Sequence, residues 1–279
     1  MDTEGYCKRA QWGKLRRDKF KLFEIEINTV KLALLSDIHA NIQALDACLA
    51  HSADQGAEQY VLLGDFVGYG ANPIEVVQRA QALAADGALL IKGNHDAGAV
   101  APPRFARTVG DSTTAWTHSK LQPDQRAFLD QLPMALQHGT MLLLHASADG
   151  PELWRYVYTG GAAAASLGAA ATLPDVRHVF GGHVHHQTLY AGQGGKDVSK
   201  FSPLPGVSVS LGVDRHWLAT IGSVGQPRDG NPQAMYATFD TESFRLTFHR
   251  VGYDHAAAAA AILQAGLPAW LAGRLALGR

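Results

Sequence analysis

The chain has 279 residues, of which 47% are hydrophobic and 18% charged, a globular composition with enough apolar residues for a substantial core. A net charge of −1 excludes a global field that attracts nucleic acid or membranes. No stretch approaches the ~18 apolar residues of a membrane span, and no apolar run of signal-peptide length follows the basic N-terminus. With only two cysteines, Cys7 and Cys48, a disulfide framework is not expected, and a soluble cytoplasmic protein is predicted.

Residues 1–30 are interpreted as an N-terminal extension. The stretch from Lys8 to Lys21 holds seven Lys or Arg residues and one acid, Asp18. A solvated or frayed terminus is the favoured interpretation, and a binding role is the alternative. Residues 31–279 are predicted to form a single domain, because the candidate ligands described below span residues 37 to 185 and a domain boundary would split them.

Five short apolar runs predict buried strands, and each is followed by polar residues of metal-ligand type. Runs of about four to six apolar residues are typical of strands covered on both faces. The runs are Lys31 to Ser36, Tyr60 to Gly64, Ala88 to Lys92, Met141 to Leu144 and Val179 to Gly182.

Helical patterns separate the early runs. One helix is predicted from Asn41 to His51, and another begins at Asn72-Pro73, with Glu75 three residues after the cap. Alternation of strand and helix predicts a parallel sheet, in which ligands bind beyond the carboxyl ends of the strands. The polar residues lie where that rule places a site.

The later chain is predicted to add helices and a hairpin. Helical structure is expected from Asp111 to Leu132 and from Gly160 to Ala171, and one closing helix from Ala256 to Gly278. Ala234 to Phe239 and Phe244 to Arg250 read as a hairpin that would supply a second sheet.

The polar residues after the runs form a set of candidate metal ligands. Asp37 and His39 are two positions apart, as are His183 and His185, so each pair at the end of an extended strand would point to one side and close on one ion. The remaining candidates are Asp65, Asn94 and His145.

Seven oxygen and nitrogen ligands are too many for one transition-metal ion but enough for two that share a carboxylate. The absence of thiolate favours Mn, Fe, Zn or Ni over a structural zinc site. Two such ions about 3.5–4 Å apart clamp a phosphate and activate water. Each piece alone has an ordinary structural explanation, such as a capping Asp65 or a core His145. Their joint occurrence after buried strands favours the metal interpretation.

In these blocks the sequence resembles the calcineurin-like metallophosphoesterase superfamily. The matching blocks are Asp37-Ile38-His39, Gly64-Asp65, Gly93-Asn94-His95-Asp96, His145 and Gly182-His183-Val184-His185. The resemblance implies an α/β fold, a four-layer α/β/β/α sandwich with two mixed β-sheets and a dinuclear site at the strand C-terminal ends. It further implies one metal on Asp37, His39 and His185, a second on Asn94, His145 and His183, and a bridging Asp65. His95 would contact the phosphate and assist the leaving group.

Two further segments resemble the bacterial and archaeal phosphodiesterase-like branch. They are Asp37 to Asn41 and Gly222 to Arg228, and the resemblance makes Asn41 and Arg228 candidate phosphate contacts. The alternatives are that Asn41 only caps its helix and that Arg228 is a surface turn residue.

One departure from the superfamily bears on substrate choice. Protein Ser/Thr phosphatases carry Gly-Asp-x-Val-Asp-Arg-Gly, whereas this chain has Gly68 and Tyr69 in place of the second Asp and the Arg. Dinucleoside tetraphosphatases that resemble those phosphatases also keep the Arg. An acidic partner for His95 must come from elsewhere, with Asp96 as a guess.

The sequence therefore predicts a phosphoesterase with two divalent ions, Mn first and Fe, Zn or Ni as alternatives, and a metal-activated water as nucleophile. The substrate is expected to be a small phosphate ester, a diester in preference to a monoester. No membrane partner is expected, and the sequence gives no strong sign of nucleic-acid binding. The alternatives are a protein Ser/Thr or dinucleoside-polyphosphate phosphatase, and an inactive metal-binding scaffold. His95 argues against the scaffold, which would not need it.

Overall fold

The computed structural model describes residues 21–22 and 30–279 of the chain. The basic segment from Lys8 to Lys21 therefore lies outside the described residues, apart from the backbone of its last residue. The strands are β1 (Lys21–Leu22), β2 (Lys31–Leu35), β3 (Gln59–Leu62), β4 (Leu89–Leu90), β5 (Ala135–His138), β6 (Met141–Leu144), β7 (His178–Gly181), β8 (Gln187–Gln193), β9 (Lys196–Phe201), β10 (Ser208–Ser210), β11 (His216–Ile221), β12 (Ala234–Asp240) and β13 (Arg245–Val251). The helices are α1 (Ile42–Asp54), α2 (Pro73–Ala85), α3 (Asn94–Val100), α4 (Val109–Lys120), α5 (Pro123–Gln131), α6 (Gly160–Ala170), α7 (His255–Gln264) and α8 (Ala269–Leu277).

The strands form two mixed sheets. A six-stranded sheet has the order β10-β13-β12-β2-β3-β4, with β2, β3 and β4 parallel. A seven-stranded sheet has the order β1-β5-β6-β7-β11-β8-β9, with β6, β7 and β11 parallel. The β1–β5 pair is also parallel, and the remaining pairs of both sheets are antiparallel.

The sheets face each other across an apolar core, and helices cover their outer faces. On β2, Leu32 and Leu34 pack toward Phe180 of the opposite sheet, whereas Ala33 and Leu35 pack under α1 and α2. Helix α6 covers the outer face of the seven-stranded sheet. Because both faces of β2 are covered, its sequence is apolar without alternation. The predicted four-layer α/β/β/α sandwich with two mixed sheets is confirmed.

Three details differ from the sequence-based predictions. The β12–β13 hairpin does not begin a second sheet, because β12 pairs with β2 and extends the first one. The predicted closing helix is two helices, since Gly266 adopts a φ of 71° between α7 and α8. The stretch from Asp111 to Leu132 is likewise divided, with Pro123 as the first residue of α5.

The longest helices in the described part of the chain, α1 and α2, have 13 residues each. A bilayer-spanning helix needs about 20 apolar residues. None of the helices in residues 30–279 is long and apolar enough to cross a membrane.

Candidate metal centre

Three loops extend the sheet hydrogen bonding beyond the strand ends. In the loop after β2, the Asp37 N–H donates to Gly64 O at 3.0 Å, and the His39 N–H donates to Asp65 O at 2.9 Å. On the other side, the Gly225 N–H donates to Asp37 O at 3.0 Å. The loops after β2, β3 and β11 therefore run side by side, and their side chains converge at the C-terminal edge of the parallel strands.

The backbone of this edge is left-handed at five of the candidate ligands. The φ angles are 53° at Asp37, 49° at His39, 54° at Asp65, 67° at His183 and 57° at His185. Non-glycine residues pay roughly 1–2 kcal/mol for this conformation, and such residues cluster at functional sites.

The conformation corrects the reasoning from extended strands. The strands end at Leu35 and Gly181, before the ligand pairs begin. Asp37 and His39 do share one group of ligand atoms, but His183 and His185 belong to two different groups. The expectation that each pair closes on one ion is therefore wrong for the second pair.

The first group contains Asp37, His39 and His185, whose ligand atoms lie within 4.8 Å of one another. His185 Nε2 is 3.2 Å from Asp37 Oδ1 and 3.0 Å from His39 Nε2. All three side chains are buried. This geometry offers two nitrogens and one carboxylate oxygen to a common point.

The second group contains Asp65, His145 and His183, within the same 4.8 Å limit. His145 Nε2 lies 3.3 Å from Asp65 Oδ2 and 3.2 Å from Asn94 Oδ1. The structure thus brings all seven predicted ligand residues together, Asn94 through its contact with His145. A third group, His39, Asp65 and His95, meets the same 4.8 Å limit and overlaps the other two.

Asp65 belongs to the second group and also lies close to the first. Its Oδ2 is 3.3 Å from His145 Nε2 and 3.8 Å from His39 Nε2, one residue of each group. Its Oδ1 accepts a hydrogen bond from the His95 N–H at 2.8 Å, which fixes the carboxylate orientation.

Backbone carbonyls orient three of the imidazoles. The Nδ1 atoms donate to Val67 O at 3.1 Å in His39, to Leu63 O at 2.7 Å in His145 and to Gln226 O at 2.6 Å in His185. A neutral imidazole with hydrogen on Nδ1 presents the Nε2 lone pair to the site, and outer hydrogen bonds of this kind accompany metal-bound histidines.

The donor set fits divalent transition-metal ions. Asp37 Oδ1 is buried and accepts no hydrogen bond, although His185 Nε2 is 3.2 Å away. Two lone pairs that face each other at this distance are stabilised by a cation between them. Imidazole, carboxylate and amide donors without thiolate match Mn, Fe, Zn or Ni.

The electrostatics of the enclosed groups agree with this donor set. Burial alone would raise the pKa of both carboxyls, but the imidazoles of His185 beside Asp37 and of His145 beside Asp65 outweigh it, and both pKa values fall below the usual range. Burial would lower the pKa of His145, yet the Asp65 carboxylate raises it to about 9. Burial and His145 lower the pKa of His183 to about 4. The Asp65 carboxylate therefore favours positive charge next to it in the second group.

His95 lies beside the two groups and is held by packing. Its ring centroid is 5.0 Å from that of His39 and 4.4 Å from that of Tyr69. Its Nδ1 is buried without a hydrogen-bond partner in residues 30–279. A Cβ on Gly68 would lie only 2.5 Å from that nitrogen, so a side chain at position 68 would have to displace the His95 ring. Burial lowers the pKa of His95.

Asp96 is not the acidic partner of His95, and that guess is wrong. Asp96 Oδ2 accepts hydrogen bonds from the N–H groups of Asp65 and Gly93, both at 2.8 Å. Burial and the charge of Asp65 raise the pKa of Asp96 to about 7. Its carboxyl joins the loop after β3 to the start of α3.

The two candidate substrate contacts differ in their surroundings. Asn41 caps α1 through Oδ1, which accepts from the Ala44 N–H at 3.1 Å, and its Nδ2 donates to Gly225 O at 2.9 Å. Its amide is thus used within the protein, as the capping alternative described. Arg228, in contrast, extends toward the site, with Cζ 5.6 Å from the Tyr69 ring centroid and Nη2 2.8 Å from Gln226 Oε1.

Sequence reasoning missed several neighbours of the site. Trp154 O accepts a hydrogen bond from His183 Nε2 at 2.9 Å, and the Tyr156 ring stacks on His183 at 4.1 Å. A backbone acceptor leaves no trace in the sequence. The tyrosines did leave a signal, since Tyr156 and Tyr158 are two positions apart and an extended segment directs such residues to the same side.

Comparisons with known proteins find a matching family profile and several similar proteins and structures. The sequence profile of the calcineurin-like phosphoesterase superfamily domain matches residues 30–243. An uncharacterised protein of Methanocaldococcus jannaschii is 32% identical over 254 residues, which are 89% of this chain and 98% of that protein. A metallophosphoesterase structure from Sphaerobacter thermophilus superposes with a TM-score of 0.79 and 32% identity, covering 90% of this chain and 100% of that one.

A hypothetical protein from Pyrococcus horikoshii OT3 is similar in fold. Its structure superposes with a TM-score of 0.71 at 20% identity, covering 90% of this chain and 99% of that one.

Gly68→Ala should destabilise the protein more than Gly87→Ala. The two glycines have φ angles of 88° and 92°, so the backbone strain of alanine is matched, but only the Gly68 position meets another group, His95. We expect an additional loss of about 1–3 kcal/mol in the free energy of unfolding from overpacking. Urea denaturation of both variants measures it. Equal losses of unfolding free energy in the two variants would show that the His95 ring moves aside at little cost.

Proposed function

The chain belongs to the calcineurin-like phosphoesterase superfamily, and on that basis we propose that it is a metal-dependent phosphoesterase that hydrolyses a small phosphodiester. The main support is the pair of ligand groups that meet at Asp65 with His95 beside them. A turnover assay with a bis-aryl phosphate and its monoester counterpart in added Mn²⁺ tests the proposal. Absence of hydrolysis of either ester would favour the metal-bound scaffold.

In this proposal Asp37, His39 and His185 would hold one divalent ion, and Asn94, His145 and His183 would hold the other. Asp65 is the bridging carboxylate, because its Oδ2 faces a histidine of each group. When bound, such a pair of ions polarises the phosphate and lowers the pKa of water enough to supply a nucleophile at neutral pH. Manganese is our first choice of metal, with Fe, Zn or Ni as alternatives.

His95 is the proposed proton donor to the leaving group. Its Nδ1 is enclosed against Gly68, so the ring offers Nε2 to the site. A carboxylate oxygen of Asp65 lies within 4.8 Å of a His95 ring nitrogen, and contacts with Tyr69 and His39 hold the ring. Burial favours a neutral His95 before substrate binds, and a bound phosphate anion favours its protonation.

The charges at the rim favour a diester. Tyr69 places a neutral ring where the protein phosphatases have an arginine, and the proposed phosphate-binding cation is Arg228 from a different loop. Part of the guanidinium of Arg228 is engaged by Gln226 Oε1. A diester carries one negative charge fewer than a monoester and needs less positive charge, which also argues against the protein-phosphatase and dinucleoside-polyphosphate alternatives.

Two coarser expectations belong to the same proposal. We propose that residues 31–279 act as one domain, since both sheets supply ligands to the same centre. A cytoplasmic site of action is consistent with the reduced, buried Cys48.

Asp65→Asn should lower the affinity of both metal sites. The wild-type protein is expected to hold about two transition-metal ions per chain. The amide removes the charge that both cations share, so elemental analysis after dialysis should show fewer ions. Asp214→Asn, at an acid whose side chain is 73% exposed, is the control. Unchanged metal content and activity in Asp65→Asn would contradict the bridging role.

The wild-type enzyme should have a higher kcat/KM for a diaryl phosphate than for the aryl monoester. The physical reason is that Tyr69 replaces the arginine of the protein phosphatases and that Gln226 engages part of the Arg228 guanidinium. Steady-state kinetics on both esters and on a phosphoserine peptide measure the preference. A strong preference for the peptide would restore the protein-phosphatase alternative.

His95→Ala should retain both metals and lose turnover. General acid catalysis typically contributes ~10²–10⁴-fold, and the loss should be largest for esters with poor leaving groups. It should shrink for p-nitrophenyl esters, because p-nitrophenolate leaves without a proton. A series of leaving groups, with metal content measured in parallel, tests this role. Equal loss on every ester would indicate charge stabilisation, and loss of metal would make His95 a ligand or structural support.

A further inference from the structure

A stack of three parallel rings runs from the metal centre toward solvent. The Tyr156 ring lies 4.1 Å from the His183 ring at an interplanar angle of 16°, and the Tyr158 ring lies 5.3 Å beyond Tyr156 at 11°. Tyr156 is 51% and Tyr158 46% exposed. Two large aromatic side chains are therefore open to solvent directly beside a proposed ligand.

The backbone of residues 154–158 holds the two tyrosines in place. Val157, between the two tyrosines, is buried in the apolar cluster under α6. At one end of the segment Trp154 O accepts from His183 Nε2 at 2.9 Å, and at the other Tyr158 O accepts from Lys200 Nζ at 3.4 Å. The core thus anchors Val157, and the alternation directs both tyrosines outward.

Tyr156 and Tyr158 have different surroundings. Tyr156 stacks on both His183 and Tyr158, so its ring is engaged by two neighbours. Tyr158 is engaged by Tyr156 on one side, and its outer part is exposed. The ring of His186 stands edge-on to Tyr158, at 6.2 Å and 80°. The platform therefore combines a free aromatic surface with a nearby polar ring.

We propose that Tyr158 is a stacking platform for a planar, polar-edged aromatic ring on the substrate, and that this ring is a nucleobase. The proposal rests on the proposed function, because it assigns the group attached to the phosphate held at the metal centre. Stacking on a tyrosine requires only a flat ring. The nearby imidazole of His186 favours a base over a plain aryl group, since its nitrogens can hydrogen-bond to base edges.

In this arrangement the metal centre would hold the phosphate of the substrate and Tyr158 would bind its base. The phosphate would lie at the ligand groups, the sugar beside Tyr156, and the base on Tyr158, two ring layers out from His183. Binding energy gained from a remote group can orient the reacting phosphate. Stacking of a base on an aromatic side chain contributes about 1–3 kcal/mol by alanine substitution, which corresponds to roughly tenfold or more in affinity.

Direct binding tests the platform without turnover. Adenosine 5′-monophosphate and ribose 5-phosphate are titrated into the Mn²⁺-loaded protein by calorimetry, and the nucleotide should bind about tenfold more tightly. Tyr158→Leu should abolish this difference, because it keeps an apolar side chain but removes the plane. Tyr158→Phe, the matched control, should preserve it. Equal affinities for the two ligands, or a preference that survives in Tyr158→Leu, would overturn the proposal.

Two further measurements test whether the bound ring is a nucleobase and separate failure of the platform from failure of the proposed function. Phenyl phosphate that binds as tightly as the nucleotide would overturn the assignment to a nucleobase. If the protein hydrolyses no ester yet keeps a Tyr158-dependent preference for the base, the proposed function fails and the platform stands. If it hydrolyses diesters with equal kcat/KM whether or not they carry a base, the platform fails and the proposed function stands.

Discussion

The carboxylates of Asp37 and Asp65 are almost completely withdrawn from solvent, and the surrounding loops are arranged to compensate their charges. A buried ion without partners costs several kcal/mol. One oxygen of each carboxylate accepts a backbone N–H, from His183 for Asp37 and from His95 for Asp65, while the other faces imidazoles. The loops after β2, β3, β4 and β7 are therefore tied to two shared charges, and the position of each loop depends on the others.

Much of the fold was predictable from residues 30 to 186 because burial on both faces leaves a strong local pattern. Leu32 to Leu35 could hardly be anything but a covered strand. The exposed strand β9 has no such pattern, and it is fixed by its pairing with β8. The placement of the hairpin was also not predictable from local sequence. The strand β12 pairs with β2, and Phe239 of β12 packs between the two sheets, which is a contact between distant parts of the chain.

The residue types predicted the position of the candidate site better than they predicted its backbone conformation. Aspartate, asparagine and histidine after buried runs pointed to the ligand positions, and these side chains do converge. The left-handed backbone at His183 and His185 carries no sequence signal when the residue is not glycine, so the two rings were expected on one side. Asp96 shows the same limit, because an acid beside a histidine in sequence can serve backbone N–H groups instead.

The helices α7 and α8 lie after residue 243, where the superfamily profile ends, yet their apolar cluster also includes Tyr69 and Trp116. The ring that packs against His95 and His39 thus also contacts a part of the chain that supplies no candidate ligand. Selection can therefore act on the two parts separately. Substitutions in the terminal helices would change the surface beside Tyr69 and so shift substrate preference. The loops that carry the candidate ligands could stay unchanged at the same time.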